Sequence, residues 1–138
     1  MAEIHITGQK MLKTINSEFQ EAFPYLCLTF CSMDDWKAAI GKGGRIHGFD
    51  KNKRLSEVKV KKDANAGEIS IHGRTLVKNL EKSFYATYGI CCQVAYVGED
   101  GRNYYTFGTY DEMSLTQLNK ALEARGCKKK PNWKLYDR

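Results

Sequence analysis

The chain lacks an even set of cysteines, having five: Cys27, Cys31, Cys91, Cys92 and Cys127. An odd set argues against a disulfide framework, and Cys91-Cys92 lie in an apolar run where cysteine acts as a small hydrophobe. Histidines are fewer. His5, His47 and His72 have no partner four residues away and no cysteine at ligand spacing. Cys27-x-x-x-Cys31 lacks the second pair that a zinc finger needs, so no metal site is expected. No stretch reaches the ~18 apolar residues that span a bilayer, so no membrane partner is expected. The opening MAEIHITGQK lacks the apolar core of a secretory signal, and a reduced, cytoplasmic protein is the expectation. Asp34-Asp35 reads as the start of a loop or helix rather than an acid–base pair. No Ser/His/Asp or Cys/His arrangement shares a local context. These absences leave no catalytic residue and no cofactor to name, and they point away from an enzyme.

What the chain does have is internal likeness. A constant shift of 65 positions sets Glu3 on Glu68, Ile4 on Ile69, Ile6 on Ile71, Gly8 on Gly73, Lys13 on Lys78 and Phe19 on Phe84. Each copy opens with alternating residues, E-I-H-I and E-I-S-I, the period of a half-buried strand. After a glycine turn, apolar residues recur every four positions: Met11, Ile15, Phe19, Phe23, then Leu76, Leu80, Phe84, Tyr88. That spacing keeps them on one helical face, and Pro24 and Gly89 stop the helices at matching places.

A second strand follows in each copy, at residues 26–30 and 92–96. In the second copy Asp100-Gly101 predicts a tight hairpin, with a third strand over 103–108 and a Leu-centred helix within 111–124. The first copy is expected to place its third strand near 45–49 and a short Leu-centred segment over 50–58.

The fold class expected is therefore α+β. A β-α-β-β-(α) unit is repeated in tandem with pseudo-twofold symmetry, its helices packed on antiparallel or mixed sheet. Residues 1–60 form the first repeat, 61–67 a linker, 68–126 the second repeat and 127–138 a basic tail. The run I-T-G-Q-K-M-L-K-T-I-N-S-E-F-Q-E-A-F-P-Y-L, echoed at residues 71–90, resembles a family of small uncharacterised bacterial proteins. They share the doubled strand-helix pattern and a basic glycine-containing loop in the first half. The resemblance implies the architecture and brings no activity with it.

Charge is concentrated in two places. Residues 41–62 carry eight Lys/Arg against Asp50 and Glu57, and residues 120–138 carry seven against Glu123 and Asp137. The rest of the chain holds seven basic and twelve acidic residues. Two basic blocks on a mildly acidic body fit an anionic partner, or else solvated surface and tail.

The first copy also has about eight more residues than the second between its second and third strands, within 32–46. This insertion reads as a loop, and function tends to reside in loops grafted on a scaffold. The segment 40–44, I-G-K-G-G, fails the G-x-x-x-x-G-K-[ST] spacing of a phosphate loop. It is similar to the G-x-x-G loop that grips nucleic-acid backbone in KH domains, but such a domain needs a helix directly after the loop, where Gly48 is a poor helix residue.

The tail C-K-K-K-P-N-W-K-L-Y combines charge with aromatic rings able to stack on bases or to dock on the body. Tyr104, Tyr105, Phe107 and Tyr110 offer the same choice between stacking platform and core.

The function expected is a non-enzymatic binding module for nucleic acid or another phosphate-bearing anion. Its candidate residues are Lys42, Gly43, Gly44, Arg45, Lys51, Lys53, Arg54, Lys128, Lys129, Lys130 and Trp133. The alternatives are a protein-interaction module docking on an acidic protein surface, or a small-ligand pocket between the copies. A monomer or weak dimer is expected.

Overall fold

The computed structural model describes residues 3–42, 48–58, 68–106 and 108–129. In chain order the elements are β1 (Ile4–Ile6), α1 (Leu12–Ala22), β2 (Cys27–Cys31), α2 (Met33–Lys42), α3 (Leu55–Val58), β3 (Ile69–Ile71), α4 (Val77–Tyr88), β4 (Cys91–Val97), β5 (Asn103–Tyr105), a 3-10 helix (Gly108–Glu112) and α5 (Leu115–Ala124). The protein is α+β, with two small antiparallel sheets, β1-β3 and β2-β4-β5.

The strands do not pair with their neighbours in sequence, except at the β4–β5 hairpin. β1 pairs with β3, Ile4 opposite Ile71 and Ile6 opposite Ile69. β2 pairs with β4, from Cys27 opposite Ala95 to Cys31 opposite Cys91. Both pairings join residues before 58 to residues after 68, so neither end of the chain completes a sheet by itself.

The apolar stripes decide the layering. Leu12, Ile15 and Phe19 of α1 and Val77, Leu80, Phe84 and Tyr88 of α4 are buried. They meet Leu28, Phe30, Cys92, Val94 and Tyr96 from one face of the larger sheet, and Leu115, Leu118 and Leu122 of α5, in one core. Phe30 and Phe84 meet edge to face at 5.6 Å. The opposite face of that sheet carries a smaller cluster, in which Trp36 of α2 covers Cys31 and Cys91 beside Met33 and Tyr105. With both faces covered, β4 reads C-C-Q-V-A-Y-V, almost continuously apolar, and six of its seven residues are buried.

Neither long helix begins with a capping side chain; Met11 and Leu76 hold the N-cap positions. Neighbouring backbone supplies the partners instead. The Leu12 and Lys13 N–H groups donate to the carbonyls of Lys53 and Lys51, and the Val77 N–H donates to Met113. α5, by contrast, is closed by a capping box between Ser114 and Gln117.

Three segments depart from the sequence expectation. Residues 33–42 form helix α2 rather than a loop: the Ser32 hydroxyl accepts the Asp35 N–H at 3.0 Å, acidic Asp34 and Asp35 sit in the first turn, and Trp36 anchors the apolar side. The third strand placed near 45–49 falls partly outside the described residues. At Gly48–Asp50 there is no strand, and the Phe49 N–H donates to the Phe30 carbonyl at 2.9 Å. In the second half, β5 ends at Tyr105 and a 3-10 helix intervenes, so the Leu-centred helix starts at Leu115.

Candidate functional site

The β4–β5 hairpin turns where Asp100-Gly101 placed it. The Gly98 N–H donates to the Arg102 carbonyl at 2.8 Å, and Gly101 adopts φ 81°, the left-handed region that glycine enters without a Cβ clash. Asp100 braces the turn, accepting the Arg102 N–H at 3.0 Å and the Tyr104 hydroxyl. These donors hold the Asp100 carboxyl below its usual range, the Tyr104 hydroxyl first and the Arg102 N–H second. The same contact raises Tyr104.

The Tyr104 ring stacks on Tyr96 at 5.6 Å with 22° between planes, and Tyr96 meets Tyr110 edge to face at 5.8 Å. A Cβ on Gly98 would lie 2.7 Å from the Tyr104 ring, so glycine is what lets the ring seat there. Tyr104 remains 39% exposed. It is an aromatic ring fixed at its hydroxyl and on one face.

Two arginines flank this corner and two lysines lie across β4 from it. Arg102 is exposed on the hairpin. Arg125, just past α5, donates to the Tyr110 hydroxyl and lies 3.6 Å from Glu99. The chain then docks. Cys127 is buried in the main core, the Lys128 N–H donates to the Val97 carbonyl at 3.1 Å, and Lys129 Nζ sits 5.9 Å from the centre of the Tyr25 ring. The start of the basic tail is thus fastened beside β4, with Lys128 and Lys129 exposed. Lys130 and Trp133 lie outside the described residues.

The other basic block is placed by α1. Residues 50–53 form a turn in which Asp50 accepts the Asn52 N–H at 2.9 Å and the carbonyls of Lys51 and Lys53 receive the first N–H groups of α1. Lys53 and Arg54 are exposed and Lys51 is half-buried. Lys42 ends α2, while Gly43, Gly44 and Arg45 lie outside the described residues. The turn sits at the start of α1, and Tyr25, which carries Lys129, follows its end. At 1.5 Å per residue, the helix separates the two described groups of cations by roughly 16 Å.

The starts of α5 and α3 are closed to an anion by their own partners. At α5, Leu115 and Thr116 donate to the carbonyls of Thr75 and Gly73, and Gln117 donates to the Ser114 hydroxyl. At α3, Leu55 and Ser56 donate to Lys10 and Gly8.

Sequence reasoning passed over two clusters. One is the sulfur pair. Cys31 faces Cys91 across the strands and the two share a hydrogen bond, with Gln93 Nε2 3.7 Å from Cys91 Sγ. Donation from Cys31 and Gln93 draws the Cys91 thiol down against the effect of burial. The Cys31 thiol is pushed up by its bond to Cys91 and by burial. The shift aligns the two copies but does not say that their second strands pair, and only the register of β2 on β4 brings these two cysteines together. The other cluster is a carboxyl pair. Glu81 of α4, which accepts the Val94 N–H at 3.4 Å, is pushed up to about 8 by burial and by Asp111. Asp111 is itself raised by burial, and its Oδ1 is buried without a partner.

Other described residues line two open clefts. One, of about 650 Å³, is lined by His72, Gly73, Arg74, Ser114, Thr116 and Gln117. The other, of about 470 Å³, is lined by residues from Glu3 to Ala22. Each lies within one half of the chain, so neither is the pocket between halves that the sequence left open. Among the described residues, no three His, Cys, Asp or Glu side chains group as metal ligands, and no helix is long and apolar enough to cross a membrane. Comparison with protein-family models, with curated proteins and with solved structures finds no match.

Proposed function

We propose that this protein is a non-enzymatic module that binds single-stranded nucleic acid, a base stacking on Tyr104 and phosphates meeting the cations around it. The observation that carries the reading is the Tyr104 ring: 39% exposed, stacked on Tyr96 and anchored by Asp100, with Arg102 on the same hairpin, Arg125 on the neighbouring Tyr110, and Lys128 and Lys129 across β4. A fixed aromatic surface stacks on any base, and base–aromatic stacking contributes roughly 1–3 kcal/mol. Glu99 and Asp100 offset part of the local positive charge, which favours a few close phosphate contacts over a broad electrostatic footprint. Lys51, Lys53 and Arg54, a helix length from Lys129, suit a polymer better than a single phosphate. At 3.4 Å per nucleotide in a stacked strand, roughly five nucleotides cover that separation.

The scaffold for this reading is a tandem duplication. The shift of 65 supports it, because it turns the pair Ile4–Ile71 into Ile69–Ile6 and Cys27–Ala95 into Cys92–Phe30, which are also pairs. The bond from Leu12 to Lys53 has its counterpart in the bond from Val77 to Met113. One half then carries the hairpin and tail, the other the insertion and the basic turn.

The test is fluorescence anisotropy of labelled single-stranded and duplex DNA and RNA across salt concentrations. Single strands are expected to bind at ~50 mM salt, with log affinity falling against log salt at about −0.7 per phosphate contact. Tyr104→Ala is expected to weaken binding roughly 5- to 150-fold. Lys128→Ala with Lys129→Ala should flatten the salt slope. Absence of binding to all four probes would overturn the reading in favour of an acidic protein partner. Binding unchanged by Tyr104→Ala would remove the stacking.

A further inference from the structure

The sulfur pair beneath α2 has the geometry of a reactive dithiol. Leu28 sends its N–H to Asn16 Oδ1 at 2.7 Å, and Phe30 receives the Phe49 N–H on its carbonyl at 2.9 Å. Both residues therefore turn their backbone groups away from β4. The alternate residues Cys27, Thr29 and Cys31 turn theirs toward it, which makes Cys31 and Cys91 a backbone-hydrogen-bonded pair. Such pairs hold their Cα atoms about 5.5 Å apart, inside the roughly 4.4–6.8 Å over which a disulfide closes. The other described cysteines have no such opposite number: Cys27 faces Ala95 and Cys92 faces Phe30.

We propose that Cys31 and Cys91 form a thiol–disulfide exchange site that reacts with low-molecular-weight disulfides and closes to an intramolecular disulfide under Trp36. Cys91 is the attacking sulfur, because Gln93 Nε2 donates to it at 3.7 Å, while the Asp35 carboxylate disfavours a negative charge on Cys31. The Cys91 thiolate attacks one sulfur of RS–SR, forming the mixed disulfide Cys91–S–SR and expelling RS⁻. That RS⁻ takes the Cys31 proton. The Cys31 thiolate then attacks the Cys91 sulfur, forming the Cys31–Cys91 bond and expelling the second RS⁻, which is protonated from water. Two protein thiols are oxidised by two electrons, and one external disulfide is reduced to two thiols.

Both sulfurs are buried, Cys31 at 1% and Cys91 at 4% exposure, so the reaction requires α2 to lift. That helix begins immediately after Cys31 and covers the pair through Met33 and Trp36. The closed bond at a hydrogen-bonded position is strained, since facing Cβ atoms there stand about 4.5–5.5 Å apart against a mean of about 3.8 Å in disulfides. Strained bonds are the readily reduced ones.

The test is to expose the folded, full-length protein to glutathione disulfide at graded glutathione ratios, block free thiols and map the cysteines by mass. A Cys31–Cys91 disulfide is expected, forming at least about tenfold faster than any modification of Cys27, Cys92 or Cys127, and reversed by glutathione. Cys31→Ser is expected to accumulate glutathione on Cys91, whereas Cys91→Ser leaves Cys31 unmodified. Equal reaction of all five cysteines, or reaction only under denaturant, overturns the proposal. Because the wild-type mapping needs no variant, loss of fold in either substitution leaves the result readable.

Discussion

Two residues related by the shift of 65 meet one structural demand with different chemistry. Asn16, 1% exposed, accepts the Leu28 N–H through its amide oxygen and donates to Gln20 at 2.9 Å. Glu81 does the corresponding work for the Val94 N–H with a carboxyl group. The amide is neutral at every pH, but the carboxyl is not. Its pKa of about 8 in the fold stands above the ordinary 4.5, so between those values the folded protein holds a proton that the unfolded chain has lost. Stability from this group is intact below pH 4.5 and declines as pH rises through 8. Glu81→Gln is expected to match the wild type near pH 4.5 and to exceed it at pH 9, by on the order of 1–3 kcal/mol in urea denaturation. Equal stability at both pH values would show that Glu81 ionises freely in the fold.

At the scale of elements, periodicity carried further than punctuation. The four-residue stripes of α1 and α4 and the hairpin at Asp100-Gly101 were legible because each rests on local geometry: one helical face, one positive φ. Helix α2 was not, although Ser32-x-x-Asp35 and Trp36 are ordinary signs of a helix start. The comparison of the two halves asked for a loop there, and the glycines at 41, 43 and 44 agreed. Of the candidate site, the lysines were legible as charge. Their position was not, because the fastening of Lys128 to Val97 and of residues 51–53 to α1 depends on backbone bonds between distant segments. The value of a local cap can be measured directly. Ser114→Ala breaks the capping box of α5 and is expected to lower stability by about 1 kcal/mol. The Gln117 side chain still accepts the Ser114 N–H in that variant, so a loss well beyond about 2 kcal/mol would mean that Ser114 does more than cap.

Across the whole molecule, the core is shared by both halves. Phe84 is fully buried against Phe30 from the other half, and Phe84→Ala is expected to cost roughly 3–5 kcal/mol. That loss should appear in one cooperative transition, because β1, β2 and α1 lose their partners when β3, β4 and α4 unfold. Calorimetry of the full chain checks this: two resolved transitions, one for each half, would show that the halves are stable apart.

The pairing of β2 with β4 also sets an order of events during synthesis. Cys31 emerges from the ribosome some sixty residues before its opposite number Cys91. At roughly 5–20 residues per second, the apolar segment 26–31 waits on the order of 3–12 seconds for the strand that covers it. During that interval the nascent first half is an unprotected strand edge, the kind of surface that chaperones capture and that neighbouring chains on a polysome find in one another.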